Sequence, residues 1–489
     1  MRRIFFLVSV LCIAMISCDR IDYNDLELGP SELSPVDTTK KPPYIIYDKN
    51  VSEESKTLTS EEAVNVVKMT DILYGHNTKS NTKEIDNVVS ILNKSGDTLM
   101  YAVNYANENG YVLVSSSKNY YPILAQVDKG SFNDDAYNLG VSVLMEEYDY
   151  VISNASFLPE KVKSEINKSW TTYEKRINAN SKSSRMNEFD AFITNTLQTW
   201  ENDEDIHDYY NLMEAQNRLP SSLYSVFSSI AEVEANQNYD YLTYAYVVET
   251  VFRGSFNENN YRLQTIWNQG HPYNLSVNEF YENGKRLPTG CGAVALAQIM
   301  KYHSWPSTYD WSNMPNSLSW MTVNTETVLS VCLEDIANKI RKSQTGPINT
   351  SSVEAVKNAL ENKFNYKNTC TIVNHNATNI PNSLRDYGPV FMTGHSETGG
   401  HSWVCDGYGV SQRQMVYTLY VISPDTNLEY IPVGNPEYGE VISSGAYFHL
   451  NWGAGGDHNG WFLTPGNEIP VVDGYSERRI DIINIAPNR

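Results

Sequence analysis

The sequence predicts an α+β protein built from more than one folded unit. At roughly 150 residues per domain, a chain of 489 residues is long enough for two to four units. Apolar and polar residues alternate in short stretches between residues 98 and 127 and again in 400–408 and 447–453, which predicts β-strands. Apolar residues at helical spacing after residue 59, and a run of strong helix formers after residue 290, predict helices.

The composition is that of a folded chain and argues against one class of partner. Hydrophobic residues make up 41% and charged residues 19%, which excludes a disordered or fibrous protein. The chain has 37 Lys and Arg against 58 Asp and Glu, a formal charge of −21. Such a surface repels a polyanion, so nucleic acid is not an expected partner.

The first residues resemble an export signal. A basic start is followed by an apolar run at residues 4–16, which is too short to cross a bilayer. The run ends in Met15-Ile16-Ser17-Cys18, which is similar to the lipobox of bacterial lipoproteins, with Met15 in place of the usual Leu. This resemblance implies a lipoprotein signal peptide at 1–17, lipidation of Cys18 and a lipid-anchored protein of the bacterial cell envelope, on the periplasmic or external face of the outer membrane. Ordinary signal cleavage nearby is the alternative.

Three regions are expected before the last unit. Residues 18–54 are rich in acidic residues, Ser, Thr and Pro, and predict a flexible acidic tether. Residues 55–250 are expected to form an α+β unit followed by a helical stretch over about 135–235. The α+β unit opens with a capping box at Thr59-Ser60-Glu61-Glu62 and continues with strands over 98–104, 110–115 and 123–127. A shift in composition near Gly254 marks the start of the last unit, 255–489.

The six cysteines do not define a disulfide framework. Cys12 lies in the signal and Cys18 is assigned to the lipid, and no CxxC pair occurs. Among the others, one bridge between two of Cys332, Cys370 and Cys405 is compatible with an exported chain, with Cys291 kept as a thiol.

Cys291 is the candidate nucleophile. It follows Thr289-Gly290 and precedes a run of helix formers, so it is expected in the first turn of a helix. The unpaired N–H groups and the positive end of the helix dipole stabilise a thiolate there. Small neighbours leave room for a polypeptide backbone to approach. The structural alternative is a cysteine that only packs in the core.

His401 is the candidate base. His303 is excluded because it lies twelve residues further along the same helix, about 18 Å from the sulfur. His401 stands at the start of a predicted strand, and a second strand ends at Asn451, whose side-chain carbonyl could accept the imidazole N–H. A metal cluster is the alternative role for the histidines, but no HExxH or CxxC spacing supports one, so neither a metal nor a cofactor is expected. That alternative would use His395, His401, His449 and His458.

These segments together resemble the streptopain-type cysteine peptidases, a branch of the papain-like fold. The resemblance covers most of residues 258–465 and includes Trp267-Asn268-Gln269-Gly270, Thr289-Gly290-Cys291, Gly400-His401 and Asn451-Trp452-Gly453. It implies a two-lobed peptidase, with a helical lobe and an antiparallel β lobe. The N-terminal α+β unit is similar to the inhibitory propeptide of the family.

The resemblance also implies roles for single residues. Cys291 is the nucleophile, His401 the general base and acid, Gln269 the oxyanion-hole side chain, and Asn451 with Trp452 the group that orients the histidine. The chain departs from the family at Ala454, where a second Trp is common. Fifty positions separate His401 from Asn451, which predicts an added hairpin around residues 412–439.

The function expected from these features is a membrane-anchored cysteine endopeptidase made as a zymogen. Its substrates are proteins or peptides, its own propeptide is an intramolecular inhibitor, and cleavage between about residues 235 and 258 activates it and could release it from the anchor. One alternative is a catalytically impaired peptidase-fold lipoprotein that acts as a binding or inhibitor module. Another keeps the thiol chemistry for acyl transfer or cell-wall amide cleavage.

Overall fold

The structure is a computed structural model of the full chain. It describes residues 15–17, 45–47, 57–73, 83–93, 95–133, 139–179, 206–211, 225, 227–228, 245–253, 261–343, 346–396, 399–422, 430–464 and 479–489. Most of the predicted signal and tether, with Cys12 and Cys18, and the predicted unit boundary at Gly254 lie outside these residues. The short strands β1 (Met15–Ser17) and β2 (Ile45–Tyr47) are the described parts of that N-terminal region.

The N-terminal unit is an antiparallel sheet packed by helices. Its elements are α1 (Ser60–Leu73), β3 (Ile85–Leu92), β4 (Thr98–Tyr105), β5 (Tyr111–Ser115), β6 (Ile123–Val127), α2 (Leu139–Ser153) and α3 (Glu160–Ala179). The predicted capping box is confirmed: the Glu62 N–H donates to Thr59 Oγ1 at 3.2 Å, and the Thr59 N–H donates to Glu62 Oε2 at 2.7 Å. The three strands predicted from the alternating pattern are confirmed as β4, β5 and β6.

The helical prediction for 135–235 is correct for α2, α3 and residues 225 and 227–228, and wrong for residues 206–211. Residues Ile206–Asn211 form a strand, β7, which pairs antiparallel with β8 (Ala245–Arg253). Strand β8 pairs in turn with a long hairpin of the C-terminal unit, over residues 413–421. The pairing of β7 with β8 outweighs the local helical pattern in residues 206–211.

The C-terminal unit has a helical half and a sheet half. Its helices are α4 (Cys291–His303), α5 (Val328–Ile340), α6 (Val353–Asn362) and α7 (Asn379–Asp386). Its strands are β9 (Thr350–Ser352), β10 (Thr371–Asn374), β11 (Val390–Ser396), β12 (Gly399–Ile422), β13 (Tyr430–Asn451), β14 (Gly460–Leu463) and β15 (Arg479–Ile483). The added hairpin is confirmed, since β12 and β13 pair from Val404 with Asn451 out to Ile422 with Tyr430.

One sheet runs through both units. Its order is β10-β15-β11-β12-β13-β14-β6-β5-β4-β3-β2, with β8 and β7 added beside β12, while β1 pairs with β9 in a separate small sheet. The units meet where β14 pairs with β6, with Gly460 opposite Val127 and Phe462 opposite Ala125. Gly460 makes this approach possible, because a Cβ atom there would lie 2.2 Å from the carbonyl oxygen of Gln126.

The two faces of the sheet in the C-terminal unit pack against different hydrophobic cores. Phe391, Val404 and Ile482 pack with α4, α5 and α6. Their chain neighbours Met392 and Trp403 point the other way and pack with the N-terminal unit, as alternation along a strand requires. The β half is therefore held between the helical half and the N-terminal unit. In addition, the Tyr148 hydroxyl lies 2.8 Å from the Leu124 carbonyl and 2.9 Å from the Leu463 carbonyl, so it joins β6 to β14.

The four cysteines that the structure describes are buried thiols, so the bridge considered among Cys332, Cys370 and Cys405 does not form in the structure. Burial raises the pKa of all three thiols, that of Cys370 to about 11, which makes them poor nucleophiles. Among the helices that the structure describes, none combines the length and apolar character needed to cross a bilayer.

Candidate active site

Cys291 is the first residue of α4, as the sequence predicts. The helix is preceded by Gly290 at φ 92°, a conformation that favours glycine, and a Cβ atom there would lie 2.9 Å from the Asn349 carbonyl oxygen. A Cβ atom at Gly292 would lie 2.5 Å from Ser351 Oγ. The small residues around Cys291 therefore accommodate the chain's own segment 349–351, which fixes the start of the helix.

His401 stands near the start of β12, and its two ring nitrogens have different surroundings. Nε2 lies 2.9 Å from the main-chain carbonyl oxygen of Trp452 and donates to it. Nδ1 is buried with no hydrogen-bond partner in the structure, and Cys291 lies close enough to the ring to shift its pKa. A carbonyl on Nε2 fixes the tautomer and the ring orientation needed to exchange a proton with the sulfur.

The electrostatics of this pair favour an imidazolium. Burial by itself lowers the pKa of His401, but the charge of the Cys291 thiolate and the Trp452 carbonyl together raise the pKa above its usual value. The ring therefore keeps its proton to higher pH than an isolated histidine. A thiolate beside an imidazolium is the reactive state of a cysteine nucleophile.

Asn451 does not orient the histidine as the sequence-based prediction has it. Its Oδ1 accepts from Gln298 Nε2 and from the Gly453 N–H, both at 3.1 Å, and its Nδ2 donates to the Thr265 carbonyl at 2.7 Å. The reason is strand register. Asn451 pairs with Val404 and so points to the α4 face of the sheet, whereas His401 lies on the opposite face. The next residue, Trp452, supplies the orienting carbonyl.

A ring of three buried polar side chains holds Asn451 in place. Thr265 Oγ1 donates to Gln298 Oε1 at 2.9 Å, Gln298 Nε2 donates to Asn451 Oδ1, and Asn451 Nδ2 returns to the Thr265 carbonyl. Gln298 lies two helical turns after Cys291 on α4. The ring therefore ties α4, which begins at Cys291, to the segment that carries the Trp452 carbonyl. Sequence reasoning missed it because Thr265 and Gln298 gain a role only when three distant segments meet.

The indole of Trp452 is fixed as firmly as its carbonyl. Its Nε1 donates to the His458 carbonyl at 2.8 Å, and its main-chain N–H donates to Asn459 Oδ1 at 3.0 Å. The ring packs at 5.1 Å from Trp403 and 5.4 Å from Phe462, centroid to centroid. Neither His458 nor Asn459 stood out in the sequence as a support for Trp452.

Gln269 is buried beside the start of α4. Its main-chain carbonyl accepts the N–H of Thr289 at 2.9 Å, which ties it to a residue two positions before Cys291. Its side-chain Oε1 is buried without a hydrogen-bond partner in the structure. A buried amide with an unused polar atom near Cys291 is compatible with a group that binds a ligand.

The histidines of the metal alternative have separate partners. Burial alone lowers the pKa of His449, but the carboxylate of Asp406, whose Oδ1 lies 2.6 Å from Nδ1, and that of Asp128 together raise it to about 9. His458 Nδ1 lies 3.0 Å from the hydroxyl of Tyr111, and burial lowers its pKa to about 4. His395 is close enough to Cys291 for the thiolate to counter part of the lowering that burial causes in its pKa. Sequence reasoning considered His395 only as a metal ligand.

Helix α2 of the N-terminal unit lies directly on this site. A Cβ atom at Gly140 would lie 2.2 Å from Cε3 of Trp452 and 2.9 Å from Cδ2 of His401. The helix backbone therefore touches both the histidine and the residue that orients it. Because His401 is 1% exposed and Cys291 2% exposed, a polypeptide substrate has no access to the pair while α2 is in place.

A cysteine at a helix N-terminus beside a buried, oriented imidazole is the arrangement that cysteine peptidases use. Residues 267–308 and 307–462 match the Peptidase C10 family, and residues 55–152 match the Spi protease inhibitor family. The chain therefore carries a streptopain-type cysteine peptidase domain behind an N-terminal propeptide domain, and the resemblance found in the sequence is confirmed.

Two curated relatives show how far the similarity extends. The chain is 26% identical over 262 residues to the thiol protease/hemagglutinin PrtT of Porphyromonas gingivalis, which is 45% of this chain and 26% of that protein. It is 22% identical over 242 residues to streptopain of Streptococcus pyogenes, which is 40% of this chain and 52% of that protein. The similarity thus spans about a quarter to a half of these relatives.

Two solved structures from Prevotella intermedia are also similar. A fragment of prointerpain A is 14% identical, with a TM-score of 0.43, over 83% of this chain and 99% of that one. Active interpain A is 17% identical, with a TM-score of 0.30, over 46% of this chain and 94% of that one.

The buried ring predicts that Gln298→Leu impairs the site without touching Cys291. The substitution removes the donor to Asn451, so the Trp452 carbonyl loses its position on His401 Nε2, and the pKa of His401 falls. After activation of the chain, kcat should drop about 10-fold with little change in KM. When the rate of Cys291 alkylation is plotted against pH, the inflection that reports the titration of His401 should move to lower pH.

Thr265→Ser keeps the hydroxyl and is the matched control, which should retain the kcat and the alkylation profile of the wild type. A folded Gln298→Leu chain with an unchanged alkylation profile would contradict this positioning role.

Proposed function

We propose that this chain is the zymogen of a cysteine endopeptidase that hydrolyses protein substrates through Cys291 and His401. The observation that carries the proposal is the pairing of Cys291 with a His401 ring whose other nitrogen is held by the Trp452 carbonyl. The C10 and Spi matches support a thiol protease with a propeptide.

The reaction follows from the chemistry of this pair. The Cys291 thiolate attacks the peptide carbonyl, and the developing oxyanion is bound by the Gln269 amide and the Cys291 main-chain N–H. His401 gives its proton to the leaving amine, so a thioester remains on Cys291. Water then gives a proton to His401 and attacks the thioester, which releases the acid and restores the thiolate–imidazolium pair.

The N-terminal unit is the inhibitor in this proposal. It covers the site with α2 and shares both a hydrophobic core and a strand pairing with the peptidase domain. Inhibition then ends when the connection between the units is cut, as expected between about residues 235 and 258, and α2 leaves the cleft. The side chains that the substrate meets are those against which α2 packs.

Chemical labelling tests the nucleophile. After limited trypsin activation, a thiol-reactive epoxide should label the wild type once, and the enzyme should degrade casein. Cys291→Ala should take no label and lose activity by about 10⁴-fold or more, while Gln269→Ala should lose about 100-fold. The readouts are the intact mass and the release of casein peptides.

Cys370→Ala is the matched control, because Cys370 is a buried thiol with a raised pKa. It should leave labelling and casein cleavage unchanged. If the trypsin-treated wild type takes no label and does not cleave casein, the alternative of a catalytically impaired peptidase fold is favoured. If it cleaves cell-wall amides and not casein, the alternative of a thiol enzyme that acts on the cell wall is favoured.

Latency is tested at Gly140. In Gly140→Ala the new methyl group overlaps the Trp452 ring, so α2 must shift away from the site. Without trypsin, Cys291 in the variant should be alkylated about 10-fold or more faster than in the wild type. The measurement is the alkylation rate at neutral pH.

Ser153→Ala, at the exposed end of α2, is the control and should stay latent. If Gly140→Ala folds normally and its Cys291 is alkylated as slowly as in the wild type, α2 is not the element that closes the site.

Membrane attachment through lipidated Cys18 is a further part of the proposal, supported by the Met15-Ile16-Ser17-Cys18 segment after the apolar run. A diacylated cysteine anchors a protein stably, whereas a single acyl chain does not. In cells that express the full chain, Cys18→Ser should move the protein from the membrane fraction to the soluble fraction. Equal membrane recovery of the two chains would remove lipidation from the proposal.

A further inference from the structure

A row of three residues crosses the sheet at the catalytic histidine. Gly394 of β11 pairs with His401 on one side and with Arg479 of β15 on the other. Directly paired residues of antiparallel strands point to the same face, so Arg479 and His401 share a face. With strands about 4.8 Å apart, their backbones are about 10 Å from each other. Gly394 has no side chain, and the space above it is shared by the edge of the Trp403 ring of β12 and by Val143 of α2, since a Cβ atom there would lie 2.9 Å from Trp403 Cη2 and 2.7 Å from Val143 Cγ1.

Helix α2 covers this row with one stripe of residues. Gly140 lies on His401, as described above. A Cβ atom at Gly394 would lie 2.7 Å from Cγ1 of Val143, so Val143 covers the middle of the row. Glu147 Oε2 lies 2.6 Å from Nη1 of Arg479 at its far end. Spacings of three and four residues place these α2 residues on one helix face.

Arg479 has its hydrogen-bonded anion in the N-terminal unit. The side chain is 7% exposed and its Nε has no partner in the structure. Within the peptidase domain, Cζ lies 5.8 Å from the centre of the Trp403 ring, and Nη2 contacts Met392 Sδ at 3.9 Å. The carboxylate of Asp481 is near enough to help raise the pKa of Arg479, but it makes no hydrogen bond to the guanidinium: Oδ2 lies 2.8 Å from His375 Nδ1, and Oδ1 is buried without a partner in the structure.

Removal of α2 therefore leaves a cation in the wall of the cleft without its hydrogen-bonded carboxylate. A charge that loses its partner in a poorly hydrated site is costly, and a new carboxylate in the same place restores the pair. Helix α2 presents such a carboxylate on the face that blocks the catalytic pair. Glu147 thus stands where an acidic side chain of a substrate would bind.

We infer that Arg479 is a specificity-determining residue of the activated peptidase and that it selects substrates with an Asp or Glu near the scissile bond. The inference rests on the proposed function, because it assumes that peptides enter where α2 lies. An extended chain advances about 3.3 Å per residue, so a distance of about 10 Å puts the acidic residue two to four positions from the scissile bond.

Quenched fluorescent peptides test this inference on the trypsin-activated full chain. Peptides share one scissile bond and carry Glu, Gln or Lys in turn at each of the four positions on either side. At one position two to four residues from the bond, kcat/KM for Glu should exceed that for Gln by about 10-fold or more, with Lys poorest. In Arg479→Gln the ratio of kcat/KM for the Glu peptide to that for the Gln peptide should fall to about one.

Arg385→Gln is the matched control, because it removes the same charge from an exposed arginine of α7 and should keep the preference. If Arg479→Gln does not fold or cannot be activated, the wild type alone is used for the test. Its ratio of kcat/KM for Glu over Gln should be high at low salt and should fall as the salt concentration is raised.

A wild type that cleaves the Gln peptides but shows no acidic preference within four residues overturns this inference and leaves the proposed function intact. If active Arg479→Gln still prefers Glu peptides to Gln peptides as the wild type does, the inference is also overturned, and the role of Arg479 is limited to binding α2. A wild type that cleaves no peptide and takes no label on Cys291 removes the proposed function together with the inference.

Discussion

The register of the strands β15, β11, β12 and β13 is the constraint on which the site depends. Because side chains alternate between the two faces of a sheet, the register decides which residues meet α4 and which meet the N-terminal unit. It puts His401 on the face covered by α2 and Asn451 on the face covered by α4. A slip of one residue would exchange the two and leave Cys291 without a base.

Much of the fold and part of the site are accessible from the sequence because they depend on local patterns. The start of α4 at Cys291, the strand that carries His401 and the strands β4, β5 and β6 follow from helix propensity and from alternation. The sequence does not predict strand β7, because its pairing partner, β8, begins more than thirty residues later. It does not predict the group that orients His401 for a related reason. The sequence identifies Asn451 and Trp452 as a pair but does not say which one faces the histidine, since that depends on pairing with Val404.

The contact between the two units combines apolar area with a few buried polar pairs. The N-terminal unit and one face of the peptidase sheet share a core in which Trp403 and Trp452 pack with residues of β5, β6 and α2. Burial of apolar surface supplies affinity, whereas the Arg479–Glu147 pair and the Tyr111–His458 hydrogen bond specify how the units align. If peptides enter where α2 lies, as proposed, the surface that holds the N-terminal unit is also the wall of the cleft, and changes there alter latency and substrate choice together.

The pairing of β14 with β6 also bears on how the chain behaves while it folds. Without β6, strand β14 would present unsatisfied main-chain N–H and C=O groups along an open margin of the sheet, next to apolar Trp461 and Phe462. Such margins recruit strands from neighbouring molecules and promote aggregation. Because β6 belongs to the same polypeptide and is synthesised first, it occupies this position before another molecule can, and so protects the nascent peptidase from self-association.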